Sequence, residues 1–396
     1  MHIDVNNAFL SWTAIDLLNK GSKYDIRNSY AVIGGDEQAR RGIVLAKSMP
    51  AKRMGVVTAE TLYSARKKCP SLKVYPPNYQ WYQKMSKSLF HLLSKYSPDI
   101  EVVSIDECYL DYTEVQNLYG DPYQFAKKIQ KEIYDTLKFT VNIGIAETKL
   151  CAKMASDFTK PFKIHTLYPS EIPEKMWPLP IGKLFGIGKK TTVKLQNLGI
   201  MTIGDLAKQD VNYLYKYFKN QASNMIDAAN GRDDSIVNSE ISSPKGISNS
   251  TTLSHDVENI EELGRIVATI AENVSIALRK EKKYAYVVGV MLKDNFFKSF
   301  SHQKKLKNAT DLTSEIRKTA LSLLKEMYHG EAIRLVGVRL DQLVEQSAHQ
   351  VSLFENITER EESKKLDVTI DSLKEKFGQD IIQNGVSNTR KIRRKY

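Results

Sequence analysis

Burying a carboxylate among apolar residues is costly unless a cation meets it, and this chain sets acids in that position twice. In Ser104-Ile105-Asp106-Glu107-Cys108 two adjacent acids lie between strand-like runs, Ile100–Ile105 before them and Tyr109–Tyr112 after. Asp4 closes a short apolar run in Met1-His2-Ile3-Asp4-Val5-Asn6-Asn7-Ala8-Phe9. Three carboxylates on neighbouring strands would form an oxygen cage for a divalent cation. Mg²⁺ favours a few carboxylates plus substrate phosphates over a closed protein cage. Two such ions roughly 4 Å apart are the usual device for in-line phosphoryl or nucleotidyl transfer. An Asp-Glu pair at a strand end is otherwise an ordinary turn, so the rest of the chain decides.

The elements that must position these acids read as alternating strands and helices from residue 1 to about 165. Strand-like runs fall at Tyr30–Ile33, Ile43–Ala46, Leu72–Tyr75, Ile100–Ile105 and Thr140–Ile145. The longest helical pattern runs from Asn78 to about Tyr96, with Trp81, Met85, Leu89, Leu92 and Leu93 as its apolar, core-facing stripe. A shorter helix follows Thr148 and stops at Lys160-Pro161, where proline ends it.

At 396 residues, with 42% hydrophobic residues, the chain should form two to four domains with real cores. Its net charge of +12 calls for a negative partner, nucleic acid first and a membrane surface second. Against the second, there is no apolar run of about 18 residues and no signal-like start, which predicts a cytosolic protein without membrane association. Cys69, Cys108 and Cys151 are widely spaced, and no histidines stand at metal-ligand spacing. Neither a disulfide framework nor a zinc site is expected.

Between about 166 and 232, Leu184-Phe185-Gly186-Ile187-Gly188-Lys189-Lys190-Thr191 leads into a helix ending near Leu198-Gly199, then Ile200-Met201-Thr202-Ile203-Gly204-Asp205-Leu206. Glycines around one apolar residue before a helix start let backbone N–H groups point at a phosphate. This helix-hairpin-helix pattern would grip DNA backbone through Gly186, Ile187, Gly188 and Lys189 rather than read bases. Polar residues 233–245 have linker composition. Beyond them, β-α-β-β-α-β order predicts a four-stranded antiparallel sheet with two helices on one face. From Arg279 to Lys307 nine basic residues face two acids. A solvated face would explain any charge run, but here the lysines, Lys304 and Lys305 among them, flank two central strands and suit a phosphate backbone. Residues 346–396 read as a polar stretch, a charged helix near 360–377 and a basic, partly disordered end.

Taken in order, Asp4-Val5-Asn6-Asn7-Ala8-Phe9, Ser104-Ile105-Asp106-Glu107, Gly144-Ile145-Ala146 leading to Lys153 and Lys160-Pro161, and the helix-hairpin-helix before a basic domain resemble a Y-family, translesion-type DNA polymerase of the bacterial DNA polymerase IV and UmuC group. The resemblance covers about residues 1–345. It implies an α+β multidomain right-hand polymerase, with a ferredoxin-like palm (1–10 and 75–165), small fingers (11–74), a helix-hairpin-helix thumb (166–232), a linker (233–245) and a β-α-β-β-α-β little finger (246–345). The activity implied is template-directed DNA synthesis of low fidelity past lesions, without proofreading. Its partners would be primer-template DNA and an incoming dNTP, and the protein would act as a monomer.

By the same resemblance Asp4 and Asp106 bridge two Mg²⁺ ions, for which Mn²⁺ can substitute. Glu107 holds the ion that activates the primer hydroxyl, and the Val5 carbonyl completes the nucleotide-bound site. Phe9 takes the steric-gate place, against the plainer reading that it is core. For the triphosphate, Lys160 matches the family lysine, Lys52 stands where the family has arginine, and Met49 stands where it has tyrosine. Met49 removes a hydroxyl donor, and Lys47 or Arg53 are the candidates to compensate. In the tail, 346–396, Gln350-Val351-Ser352-Leu353-Phe354 resembles a sliding-clamp-binding peptide, with Gln350, Leu353 and Phe354 as its contacts. The competing readings are a non-catalytic DNA-binding scaffold with a polymerase-like fold and a two-metal nuclease.

Overall fold

The computed structural model describes residues 1–240, 243–345, 357–378 and 381–382. They fall into two compact units. The first comprises Met1–Gly35 and residues 42–240; the second comprises Asp36–Arg41 and the described residues from 243 onward. The described residues form twelve strands: β1 His2–Val5, β2 Ala31–Gly34, β3 Val44–Lys47, β4 Lys73–Tyr75, β5 Ile100–Val102, β6 Glu107–Leu110, β7 Val141–Ile145, β8 Ile164–Thr166, β9 Gly246–Val257, β10 Tyr284–Asp294, β11 Ser299–Thr310 and β12 Ile333–Val344.

The first unit is built on a five-stranded sheet of order β5-β6-β1-β7-β8, in which only β7 and β8 run parallel. β1 is the central strand and is enclosed on both sides. Ile3, Cys108, Leu110, Val141 and Ile143 are buried here with Leu89 and Leu93 of the helix Tyr79–Leu93 and Ile129 and Ile133 of the helix Pro122–Leu137. The helix Lys149–Ser156 lies close against β7, and Gly144 makes this possible: a Cβ there would meet the Ala152 carbonyl oxygen at 1.9 Å. A smaller sheet, β3-β2-β4, packs on its own core of Val32, Val44, Leu62 and Leu72.

Three local expectations are corrected. The strand expected over Ile100–Ile105 ends at Val102, because residues 103–106 turn: the amides of both Val103 and Ser104 donate to the Glu107 carbonyl. The apolar stripe of the helix Tyr79–Leu93 is out of phase at its start. Tyr82 is wholly buried while Trp81 is only half-buried, its indole N–H donating to the Trp12 carbonyl at 2.8 Å. The helix after Thr148 ends at Ser156, short of Lys160-Pro161, so residues 157–160 form a loop of their own.

Part of the stretch read as a linker is fastened within the first unit. Asp233 accepts from the Leu150 amide (3.0 Å), Lys149 Nζ donates to the Ile236 carbonyl (3.2 Å), and the Asn238 amide donates to Glu101 (2.9 Å).

In the second unit the antiparallel sheet has the order β11-β10-β12-β9. The helices Ile260–Lys280 and Thr313–Met327 cover it, burying Leu263, Val267, Ile270, Ile316 and Leu323 against Val288, Leu292, Val336 and Val338. A third helix, Ile357–Phe377, lies outside those two and is held by charge. Arg279 is 9% exposed and pairs with Asp371 at 2.6 Å and Asp367 at 3.3 Å; Lys374 pairs with Glu272.

Candidate active site

The sheet register brings the acids together. Asp4 sits directly opposite Glu107 across the β1–β6 ladder, and His2 sits opposite Tyr109, so His2, Asp4 and Glu107 share one face of the sheet. Asp106 immediately precedes β6, and its carbonyl accepts from the Val5 amide at 3.0 Å. The turn at 103–106 therefore ties the Asp106-Glu107 pair to the end of the strand that carries Asp4.

Cations answer two of the three carboxylates. Lys160 Nζ reaches Asp4 Oδ1 at 2.8 Å and Asp157 at 2.7 Å. Lys153 Nζ reaches Glu107 Oε2 at 2.5 Å and lies 3.7 Å from Asp4 Oδ2. His2 Nε2 stands 3.4 Å from Glu107 Oε2, and its Nδ1 is paired with Ser156 Oγ at 2.8 Å. His2 and the Lys153 ammonium hold the Glu107 carboxyl at about 2. Asp106 differs: its oxygen accepts only the Ser104 hydroxyl, at 2.7 Å among the described contacts. Burial, together with the charges of Asp4 and Glu107, pushes its carboxyl above the usual range. For Lys160, burial alone would lower the ammonium, but the Asp4 and Asp157 carboxylates raise it.

The set fits divalent cations by its donor chemistry: three carboxylates at one strand end, one of them raised by burial and by its neighbours' negative charge, and two ammonium groups where positive charge is wanted. Among the described residues no three His, Cys, Asp or Glu side chains converge closely enough to hold an ion as they stand. Asp4 and Glu107 are turned to their lysines, so coordination requires them to change partners. Val5 is buried at the end of β1, beside Asp4.

Sequence reasoning overlooked the groups that aim these side chains. Asn142, buried on β7 opposite Asp4, accepts from Asn6 Nδ2 (3.1 Å) and donates to the carbonyls of Ser156 (3.0 Å) and Thr159 (2.6 Å). Asn6 in turn accepts from the Phe162 amide at 2.9 Å. This amide relay ties the loop carrying Lys160 to β1. Lys153 lay within a quoted motif without a role; His2, Asn142 and Ser156 carried no signal beyond being polar residues in apolar runs.

The remaining candidates are more dispersed. Phe9, second residue of the helix Ala8–Asn19, is half-buried and packs on the sheet's core. Met49 and Lys52 lie on the short helix Met49–Arg53, Met49 half-buried and Lys52 exposed. Burial and the Lys52 charge lower the neighbouring Lys47 ammonium, which is what a cluster of like charges does. Neither Met49 nor Lys52 is among the described partners of the carboxylates. Gly186, with φ of +89°, and Ile187 lead to Gly188, which caps the helix Lys189–Asn197 with no side-chain hydrogen bond. Lys304 and Lys305 are exposed on the edge strand β11. Lysines also protect an edge from pairing. Gln350, Leu353 and Phe354, with the basic end of the tail, lie outside the described residues.

Comparison with known proteins gives one consistent answer. The impB/mucB/samB family model matches residues 3–157, the model of that family's C-terminal domain matches 244–353, and the IMS family HHH motif matches 169–200. The chain is 46% identical over 386 residues to DNA polymerase IV of Clostridium acetobutylicum, covering 97% of each. It is 33% identical over 396 residues to DNA polymerase IV 1 of Bacillus subtilis, covering 98% of this chain and 92% of that one. Among solved structures, a Y-family DNA polymerase chimera has the same fold at a TM-score of 0.76 and 24% identity, covering 87% of this chain and 99% of the chimera. DinB from Sulfolobus solfataricus follows with a TM-score of 0.57 at 24% identity, covering 86% of this chain and 97% of that one.

Proposed function

The chain belongs to the impB/mucB/samB family of Y-family DNA polymerases, and from that premise we propose a mechanism in which Asp4, Asp106 and Glu107 are its catalytic carboxylates. The protein is a DNA-directed DNA polymerase that carries out translesion synthesis on primer-template DNA with an incoming nucleotide, and it depends on divalent metal. Two Mg²⁺ ions, replaceable by Mn²⁺, would be held by the three carboxylates and the Val5 carbonyl, where they lower the pKa of the primer hydroxyl and neutralise the triphosphate. The observation that carries this reading is the opposition of Asp4 and Glu107 in register, with the raised Asp106 beside them and no cation on it among the described residues.

The chain's own groups do the positioning. Lys160 is on Asp4 and is free to transfer to a phosphate oxygen as Asp4 turns to metal. Lys153 and His2 keep Glu107 ionised and aimed along the sheet face. Lys52 supplies a point charge to the triphosphate where an arginine would supply a fork; Met49 contributes packing only, and Lys47 adds charge beside Lys52. Phe9 lies beneath the sugar of the incoming nucleotide and excludes a 2′-hydroxyl. Backbone amides at Gly186, Ile187, Gly188 and Lys189 take duplex phosphates, and Lys304 and Lys305 track the same backbone. Residues 1–10 and 75–165 act as palm, 11–74 as fingers, 166–232 as thumb and 246–345 as little finger. Gln350, Leu353 and Phe354 dock a sliding clamp, and the protein works as a cytoplasmic monomer.

Primer extension on a labelled primer-template with Mg²⁺ tests the assignment. Wild type extends the primer and Asp106→Ala does not. Extension by Asp106→Ala at the wild-type rate would remove the carboxylates from the mechanism. Tight primer-template binding by wild type without turnover would return the scaffold reading.

A further inference from the structure

The Phe9 ring does not pack loosely on the core. It stacks face to face on Tyr82, with centroids 4.6 Å apart and planes 9° from parallel. Tyr79 meets Phe9 edge-on, its centroid 6.1 Å away and its plane at 90°. Tyr82 is wholly buried in the helix Tyr79–Leu93, so the face it offers Phe9 is backed by the interior of the first unit.

A second connection joins the same two residues. Tyr82 Oη and Thr13 Oγ1 are 2.7 Å apart, and the Thr13 hydroxyl donates to the Phe9 carbonyl, also at 2.7 Å. A hydroxyl has one proton to give. Thr13 spends its proton on Phe9, so the Tyr82 phenol must be the donor to Thr13. Burial raises the phenol's pKa, which keeps that proton in place. Tyr82 thus holds Phe9 at both ends, at the ring by stacking and at the backbone by a two-bond relay through Thr13.

We propose that Tyr82 is a specificity-determining positioning residue: it stiffens Phe9 from behind, so that the ring cannot yield to a ribonucleotide's 2′-hydroxyl. This rests on the reading of Phe9 as the gate. A steric barrier excludes only as strongly as it resists displacement, and in a close-packed interior that resistance comes from the atoms behind it. An aromatic stack contributes roughly 0.5–1.5 kcal/mol beyond its buried area. Loss of that contribution corresponds to about a 2- to 12-fold loss of discrimination.

The test measures kcat/KM for a dNTP and for the matching rNTP in single-nucleotide primer extension. Tyr82→Leu, which removes ring and relay, should lower the dNTP/rNTP ratio by about 3- to 10-fold. Tyr82→Phe keeps the ring and should restore most of the ratio, and Thr13→Val, which cuts the relay alone, should match Tyr82→Phe. In a Phe9→Ala background, Tyr82→Leu should produce no further change, since there is no ring left to stiffen.

The failures are distinguishable. If Phe9→Ala leaves the ratio unchanged, the gate reading falls and this inference with it. A relaxed ratio in Phe9→Ala with an unaltered ratio in Tyr82→Leu overturns the inference alone. So does an equal loss of dNTP and rNTP use in Tyr82→Leu, the mark of a merely structural role. Should Tyr82→Leu fail to fold, Tyr82→Met takes its place as the variant without ring or relay: an unaltered ratio there, with Phe9→Ala relaxed, overturns the proposal.

Discussion

Two ionic networks in this protein use the same groups to opposite ends. At the end of β1, Asp4, Asp106 and Glu107 meet Lys153 and Lys160, and the acids are left incompletely answered, with Asp106 raised by burial and then by its neighbours' charge. Outside the C-terminal sheet, Arg279 donates to Asp371 and Asp367 and also to the Asp311 carbonyl at 2.7 Å, so each of its three guanidinium nitrogens has an acceptor. A network with unanswered charge is poised to accept a ligand, whereas one whose charges are all paired fixes an element in place. What differs between the two is whether hydrogen-bonding capacity is left over.

The largest expected effect breaks the first network at its open point. Asp106→Ala should lower single-nucleotide incorporation by on the order of 10³-fold, in the range found when one electrostatic contributor to a transition state is removed. Its folding should not suffer, because the deleted carboxylate is the one that burial and like charge disfavour and that has no cation among the described contacts. A urea midpoint at or above wild type, measured alongside incorporation, checks both halves. A clear loss of stability would mean that Asp106 is structural, and the contrast between the networks would disappear.

Next is the closed network. Removing one partner of a buried pair strands the others, typically at about 3–5 kcal/mol. Arg279→Ala leaves Asp367 and Asp371, one turn apart on a helix, without the guanidinium that joins them, so a loss of about 3 kcal/mol is expected in urea unfolding of the full chain. Incorporation at saturating substrate should change far less than in Asp106→Ala. If Arg279→Ala instead unfolds at the wild-type midpoint, the helix Ile357–Phe377 is not held by that fork.

Gly144→Ala sharpens the comparison by disturbing the first network without touching a charge. The added Cβ would lie 1.9 Å from the Ala152 carbonyl oxygen, so the helix Lys149–Ser156 must move away from β7 and take Lys153 with it. Overpacking of this kind costs about 1–3 kcal/mol. The expected outcome is a destabilised enzyme whose incorporation falls more than unfolding alone explains. A fall fully accounted for by the unfolded fraction would show that the placement of Lys153 is not critical.

These cases also show where the sequence was informative. The acids could be read because their cost is local: two carboxylates within an apolar pentapeptide and a third behind an apolar run need no knowledge of the fold. Lys160 could be read only through the resemblance, in which a Lys-Pro pair marks it. His2, Lys153 and Asn142 could not, since their roles depend on which strand faces which, and register among residues 4, 107 and 142 is settled by tertiary pairing. Tyr82 escaped for a related reason. Helical periodicity chose Trp81 for the buried stripe, but Trp81 swings its indole to the Trp12 carbonyl and Tyr82 takes the interior, a one-residue phase shift that no period resolves. The turn at 103–106 was likewise hidden inside an apolar run with strand character.

The smallest effect tests whether the closed network is uniformly strong or graded by burial. Lys364, on the same outer helix, approaches Asp311 at 3.5 Å and donates to Tyr284 Oη at 2.9 Å, but its side chain is 47% exposed where Arg279 is 9% exposed. Its ammonium is raised by the Tyr284 hydroxyl and, after that, by the Asp311 charge. Exposed pairs of this kind are worth about 0.2–1 kcal/mol, and salt weakens them further. Lys364→Ala should therefore cost about 0.5 kcal/mol at low salt and next to nothing at 1 M, where the screening length falls to about 3 Å. The Arg279→Ala loss should persist at 1 M, because a buried fork is screened little and its stranded partners stay buried. Equal salt sensitivity in the two variants would mean that solvent reaches Arg279 as freely as Lys364, and that the helix is held by diffuse attraction and not by one buried guanidinium.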